Sequence, residues 1–202
     1  MTTKIYSLYS HFYDSFFGAI FHPGLRAASE LMNIQPGEKV LEVGIGTGMS
    51  LSLYPDNVEV VGIDISQDMI KQAGEKKQRM GYTNVRLCIT DAAEMGFKNN
   101  YFGKVIASHS ITVIPQLPKT LKELKRVCKG NVESFFLNYS GSDDNIVARI
   151  EKAWSPIRSR LGLGKAIDLE GLLQKANFKI DFKNRVNILK LFQLIKCSNS
   201  SY

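Results

Sequence analysis

A short β-forming run, Lys39-Val40-Leu41-Glu42-Val43, passes without a spacer into Gly44-Ile45-Gly46-Thr47-Gly48. This feature restricts the architecture most, because in a doubly wound sheet such a turn sits at the carboxyl end of a strand, where ligands bind. Glycine suits the place: it has no Cβ to obstruct a ligand, and positive φ is open to it. Val58 to Ile63, Val85 to Ile89, Lys104 to Ala107 and Glu133 to Asn138 are further short β-branched or aromatic runs, mostly flanked by turn residues. Helical stretches fall between them at Thr47 to Leu53, Gln67 to Met80 and Leu117 to Cys128. This alternation predicts an α/β fold, a three-layer doubly wound sheet that is mostly parallel and covered on both faces. Helical regions at Asn145 to Leu161 and Asp168 to Ala176 then precede Lys179 to Val186 and Ile188 to Lys196. The brief link at Asn187 predicts an antiparallel last pair at the sheet edge. Ahead of the first strand, aromatic residues at three- and four-residue steps predict a helix over Ile5 to Leu31, interrupted at His22-Pro23-Gly24. Leu25 to Met32 would then be a second short helix, ending before the turn at Gln35-Pro36-Gly37.

The glycine spacing discriminates between ligands. A dinucleotide fingerprint requires glycine at 44, 46 and 49, and residue 49 is Met, so the pyrophosphate-cradling pattern fails at its third position. A second strand ends in Val61-Gly62-Ile63-Asp64, sixteen residues past Gly48. A carboxylate there accepts hydrogen bonds from both hydroxyls of a ribose. Together these residues predict a nucleoside cofactor without a phosphate. Ile89-Thr90-Asp91-Ala92 places another carboxylate at a strand end, where Asp91 would accept from an adenine amino group and the Ala92 backbone N–H would donate to a ring nitrogen. The structural alternative for Asp91 is a helix N-cap.

The 202 residues suffice for one domain, assigned to 1–202, and 44% hydrophobic with 22% charged residues excludes a disordered or collagen-like chain. Val105 to Pro118 is too short to span a bilayer, and polar residues from Ser7 to Ser15 interrupt any signal-peptide core. Cys88, Cys128 and Cys197 are an odd set with no CxxC spacing, which suggests neither a disulfide framework nor a zinc site and points to a reducing cytoplasm. The net charge of +7 is localised: from Asn145 to Tyr202 there are 11 Lys and Arg against 4 Asp and Glu, while residues 1–144 balance at 15 against 15. A basic last third suggests a negatively charged partner, nucleic acid or an anionic membrane surface, against the plainer reading of a solvated basic face.

Val40 to Gly48, Asp64, Asp91-Ala92 and Ala107-Ser108-His109-Ser110 together resemble the class I S-adenosylmethionine-dependent methyltransferases. The resemblance implies a seven-stranded sheet with an antiparallel last pair and S-adenosylmethionine as cofactor, without a metal. It implies cofactor contacts from Glu42, Gly44, Gly46, Gly48, Asp64, Ile65, Asp91, Ala92 and Ser108. Tyr6 with Tyr13-Asp14-x-x-Phe17-Gly18, Ile111-Thr112-Val113-Ile114-Pro115, Arg126-Val127-Cys128 and Ala153-x-x-Pro156-x-Arg158-x-Arg160-Leu161-Gly162 resemble the bacterial phosphatidylethanolamine N-methyltransferases. Two departures stand out: Lys129-Gly130-Asn131 replaces a Pro-Gly-Gly turn, and Asn138-Tyr139 replaces an Asn-His pair.

That resemblance implies a phospholipid acceptor, with residues 1–32 as a helical cap over the acceptor site. Methyl transfer from a sulfonium needs an oriented acceptor in a dry pocket, and neither a nucleophilic residue nor a metal. A base for the acceptor amine would be His109 or Tyr13, with a plain structural histidine as the alternative. Tyr6, Tyr9 and Tyr13 lie on one helical stripe whose aromatic faces attract methylated ammonium groups, whereas Phe12, Phe16, Phe17 and Phe21 are read as core. Arg158 and Arg160 are candidates for a lipid phosphate. The expected setting is cytoplasmic, peripheral to the membrane. Alternative acceptors are a quinone precursor or another small molecule. A nucleic-acid acceptor is not expected, since no Asn-Pro-Pro-aromatic motif is present. A non-catalytic S-adenosylmethionine-binding protein is the reading from another class.

Overall fold

The computed structural model describes residues 21–140, 167–186 and 191–199. The expectations for Tyr6, Tyr13, Arg158, Arg160 and the helix over Asn145 to Leu161 lie outside these residues.

Seven strands form one sheet, in chain order β1 (Lys39–Val43), β2 (Glu59–Asp64), β3 (Val85–Ile89), β4 (Phe102–Ser108), β5 (Cys128–Tyr139), β6 (Phe178–Val186) and β7 (Phe192–Asn199). Their spatial order is β3-β2-β1-β4-β5-β7-β6. The first five are parallel, and β7 runs antiparallel to both β5 and β6. This is the mostly parallel sheet with an antiparallel terminal pair that the sequence predicts.

Two apolar cores explain why the parallel strands are apolar almost throughout: successive residues bury into opposite layers. Leu41, Val61, Val105, Ala107 and Phe136 face a core shared with α3 (Leu117–Val127) and α4 (Leu169–Lys175). Val40, Val60, Ile106, Phe135 and Leu137 face the other, shared with α1 (residues 21–32). Ile70 of α2 (Gln67–Met80) packs against this second core. In α2 the Ser66 Oγ accepts the Met69 N–H, and Gly81, at φ +73°, closes the C-terminus. In α3, Pro118 occupies the first turn, where its missing N–H is harmless.

Several boundaries differ from the sequence expectation; β5, for one, starts at Cys128 rather than Glu133. Helix α1 continues through His22-Pro23-Gly24. Phe21, Leu25, Ala28 and Met32 make one buried stripe at helical spacing, and that burial outweighs the local preference for a break. Thr47 to Leu53 is not a helix: Gly48 has φ +73°, and only Leu51–Leu53 form a 3-10 turn. The last strand, expected over Ile188 to Lys196, begins as β7 at Phe192, paired with Val186, and extends to Asn199. The nearly unbroken apolar run from Ile188 to Ile195 carries no alternation to fix the register, which tertiary burial of Phe192, Leu194, Ile195 and Cys197 decides.

Candidate cofactor site

At the carboxyl ends of β1, β2 and β4 lies a cavity of about 320 Å³, walled by the glycine turn on one side and by Phe21 and Leu25 of α1 on another. A larger, open depression of about 1360 Å³ runs along the opposite end of the sheet beside Asp56, Glu59, Lys77 and Gly81. The first is the site favoured by the chemistry, since strand carboxyl ends and the glycine turn converge there.

The turn is fixed by its surroundings. Gly44 and Ile45 donate to the Ile63 carbonyl at 2.8 and 3.0 Å, and Ser110 Oγ donates to the Val43 carbonyl at 2.7 Å. Asp64 joins the ends of two strands: its Oδ2 accepts the Gly46 N–H at 3.0 Å and its Oδ1 accepts the Ser66 N–H at 2.9 Å. Each oxygen retains acceptor capacity beyond its one backbone partner. Gly44, Gly46 and Gly48 all have positive φ, for different neighbourhoods. A Cβ on Gly44 would lie 2.2 Å from Ser110 Cβ, and one on Gly48 would lie 2.7 Å from Leu51 Cδ1, whereas one on Gly46 would meet nothing within 4 Å. Gly44 and Gly48 thus permit close packing, and Gly46 leaves space at the cavity wall.

Glu42 is buried at the end of β1. Ser50 Oγ lies 2.8 and 2.7 Å from its two oxygens and donates to them, and Tyr54 Oη donates to Oε2 at 2.6 Å. Burial pushes the Glu42 carboxyl up to about 7, against the opposing pull of the two hydroxyls, and burial together with the adjacent Glu42 raises Tyr54 well above its ordinary value.

His109 follows β4 at φ +56°. Its ring lies 4.3 Å from the Phe21 ring and meets Phe192 edge-on at 4.9 Å, between centroids. Among the described residues, both buried ring nitrogens lack a hydrogen-bond partner, as does Ser108 Oγ. Burial alone lowers the imidazole to about 3, so it stays neutral near pH 7, with one donor, one acceptor and a weak affinity for a proton.

Of the expected cofactor residues, Glu42, Gly44, Gly46, Asp64 and Ser108 line this cavity together with His109; Gly48, Ile65, Asp91 and Ala92 stand outside its wall. Ile65 is 69% exposed beside Asp64. Asp91 Oδ1 accepts the Ala93 N–H at 2.8 Å, so this carboxylate braces its own turn, and no helix follows for it to cap. Sequence reasoning missed Ser50, Tyr54, Ser66 and Phe192, and gave Ser110 no role of its own. Ser66 alone carried a local signal, a hydroxyl two residues before Asp68 at a helix start.

Residues 34–162 match a family model described as a methyltransferase domain, and the chain belongs to that family. Its sheet order and glycine turn make it a class I S-adenosylmethionine-dependent methyltransferase. It is 36% identical over 151 residues to the phosphatidylethanolamine N-methyltransferase of Cereibacter sphaeroides, covering 74% of each chain. It is 34% identical over 104 residues to the demethylmenaquinone methyltransferase of Bacillus pumilus, covering 50% of this chain and 44% of that enzyme, so it spans less than half the length of this relative. An S-adenosylmethionine-dependent methyltransferase of Thermotoga maritima has the same fold at a TM-score of 0.71 and 16% identity, over 98% of this chain and 97% of that one.

The site suits this cofactor. Asp64 offers oxygen lone pairs to ribose hydroxyls, the space beside Gly46 admits a ligand close to the backbone, and buried Glu42 has only neutral donors around it. Gly46→Ala should therefore fold with a loss of about 1 kcal/mol yet weaken S-adenosylmethionine binding, as calorimetry on the purified variant would show. Gly44→Ala should lower the melting temperature much further through the contact with Ser110. The His109 ring makes a separate prediction. Between pH 6.5 and about 3 the unfolded chain binds a proton that the folded chain excludes, so stability falls as pH drops through that window. His109→Phe should remove up to about 1.4 kcal/mol per pH unit of that slope in denaturant titrations.

Proposed function

We propose that this enzyme moves a methyl group from S-adenosylmethionine to the amino headgroup of phosphatidylethanolamine and its methylated intermediates. The observation that carries the reading is the similarity to the Cereibacter sphaeroides enzyme, which extends through three quarters of both chains. The walls of the cavity agree with an amine acceptor. Phe21 and His109 line it, and the imidazole, uncharged at neutral pH, offers an acceptor lone pair without repelling a cation.

The cofactor supplies an electrophilic methyl group on a positively charged sulfur. A neutral acceptor nitrogen would form the N–C bond in line as the C–S bond breaks, leaving a neutral thioether; the first and second products would be ammonium ions that lose a proton to solvent before the next transfer, and the third a quaternary ammonium with no proton to lose. Catalysis then rests on positioning. Asp64 and the glycine turn would hold the donor, and Phe21 and Leu25 give the cavity an apolar wall. Under this reading Tyr6 and Tyr13 would bind the methylated ammonium and Arg158 and Arg160 the lipid phosphate; all four lie outside the described residues. The basic last third draws the protein to anionic membrane surfaces at about 1 kcal/mol per nearby Lys or Arg. No helix among the described residues is long and apolar enough to cross a membrane.

The second reading, methylation of a quinone precursor, has the demethylmenaquinone methyltransferases in its favour. Labelled methyl donor offered with vesicles of phosphatidylethanolamine, with demethylmenaquinone and with RNA separates the two. Label should enter mono-, di- and trimethylated phospholipid, at a rate about a hundredfold or more above the other acceptors, as a site that hydrogen-bonds its substrate discriminates. Label in the quinone alone would contradict the proposal.

A further inference from the structure

Glu42 is a buried carboxyl with an unusual set of neighbours. Ser50 and Tyr54 reach it from the segment that follows the glycine turn, and both are neutral donors. Among the described residues it has no Lys, Arg or His within ion-pair distance. Glu42 and Ser50 nevertheless form part of the cavity wall. The other titratable groups on that wall are Asp64, whose carboxylate holds two backbone amides, and His109, which is neutral. The α1 residues Phe21 and Leu25 and the α2 residue Met69 face the cavity with uncharged side chains. Among the described residues, a cavity suited to a cationic ligand thus contains a buried acid and no protein cation to balance it.

We propose that Ser50 and Tyr54 make Glu42 a proton-exchanging seat for the positive charge of the methyl donor. With the cavity empty, the carboxyl holds its proton over part of the neutral range; when the donor docks, its cationic charge replaces that proton, which leaves to solvent. The level of about 7 set by burial places this exchange where it is measurable. The sign follows from linkage. Donor binding favours the ionised carboxylate, so affinity rises with pH below about 7 and levels off above it. Tyr54 is a positioning residue here: its hydroxyl stabilises the carboxylate, and removing it raises the pH at which Glu42 ionises. The inference concerns the donor alone and does not depend on which acceptor is methylated.

Calorimetric titration in buffers of different ionisation enthalpy reads the proton directly. S-adenosylmethionine binding to the wild-type chain should release between about half and one proton at pH 6 relative to Glu42→Gln, falling toward zero by pH 8. 5′-Methylthioadenosine, which carries neither the sulfonium nor the amino-acid charge, should release none. Tyr54→Phe should bind the donor several-fold more weakly than wild type at pH 6.5, approach it at pH 8, and release more protons than wild type at pH 7.5. If Glu42→Gln does not bind, the wild-type comparison of the two ligands and the Tyr54→Phe profile still decide the matter. No proton release at pH 6, equal release with 5′-methylthioadenosine, or a Tyr54→Phe loss that is the same at every pH would overturn the proposal.

Discussion

The carboxylate of Asp64 holds two strands' ends in one place, and the site depends on it. By accepting the N–H of Gly46 with one oxygen and that of Ser66 with the other, it ties the glycine turn after β1 to the start of α2. The parallel pairing of β1 with β2, Val43 beside Ile63, brings these partners together. Because both amides come from backbone, the arrangement requires glycine where φ is positive and an acid one residue past the strand pairing. Local sequence therefore specifies it almost completely. The same carboxylate keeps lone pairs for a ligand, so one group serves both folding and binding.

Around this fixed turn the cavity carries polar groups that the empty protein satisfies poorly or not at all. Glu42 is a buried acid with neutral partners, and among the described residues the nitrogens of His109 and the hydroxyl of Ser108 have none. Unsatisfied buried polar groups destabilise a fold by about 1–3 kcal/mol each. His109 adds a positive φ, which a non-glycine side chain adopts at a further cost. Their concentration at the strand carboxyl ends, between two well-packed apolar layers, is the pattern of a site whose partners arrive with its ligands. Away from the cavity wall, buried Thr120 Oγ1 and the Asn138 amide also lack partners among the described residues, while other polar side chains are well engaged. Arg126, for example, donates to the Met95 and Phe97 carbonyls and to Glu123, and so pins the segment after Asp91 to α3.

The parts legible in sequence were those that local chemistry dictates. The β1 turn, the acid ending β2 and the alternation of strands with helices come from residues close in the chain. The antiparallel terminal pair was legible as a pair, but its register was not, because the apolar run around Leu189 and Leu191 offers no period to count. The surroundings of Glu42 were hidden because Ser50 and Tyr54 lie in a stretch that reads as helix and folds as turns. His109 resembled an ordinary strand-end histidine until Phe21 and Phe192, from opposite ends of the chain, closed on its ring. Asp91 had the signature of a ligand contact, and its carboxylate is turned onto its own loop. For His109 the missing information was a long-range contact that no local window contains; for Glu42 it was the path of the turn, and for Asp91 a local bond to Ala93.

The central claim is that Asp64, held by Gly46 and Ser66, is the anchor of the S-adenosylmethionine site. The most direct test is the affinity of Asp64→Ala for S-adenosylmethionine, measured by calorimetry beside the wild type at matched folded fraction. Loss of charge-assisted hydrogen bonds to ribose should weaken binding by at least about tenfold. An unchanged dissociation constant in a folded variant would contradict the account.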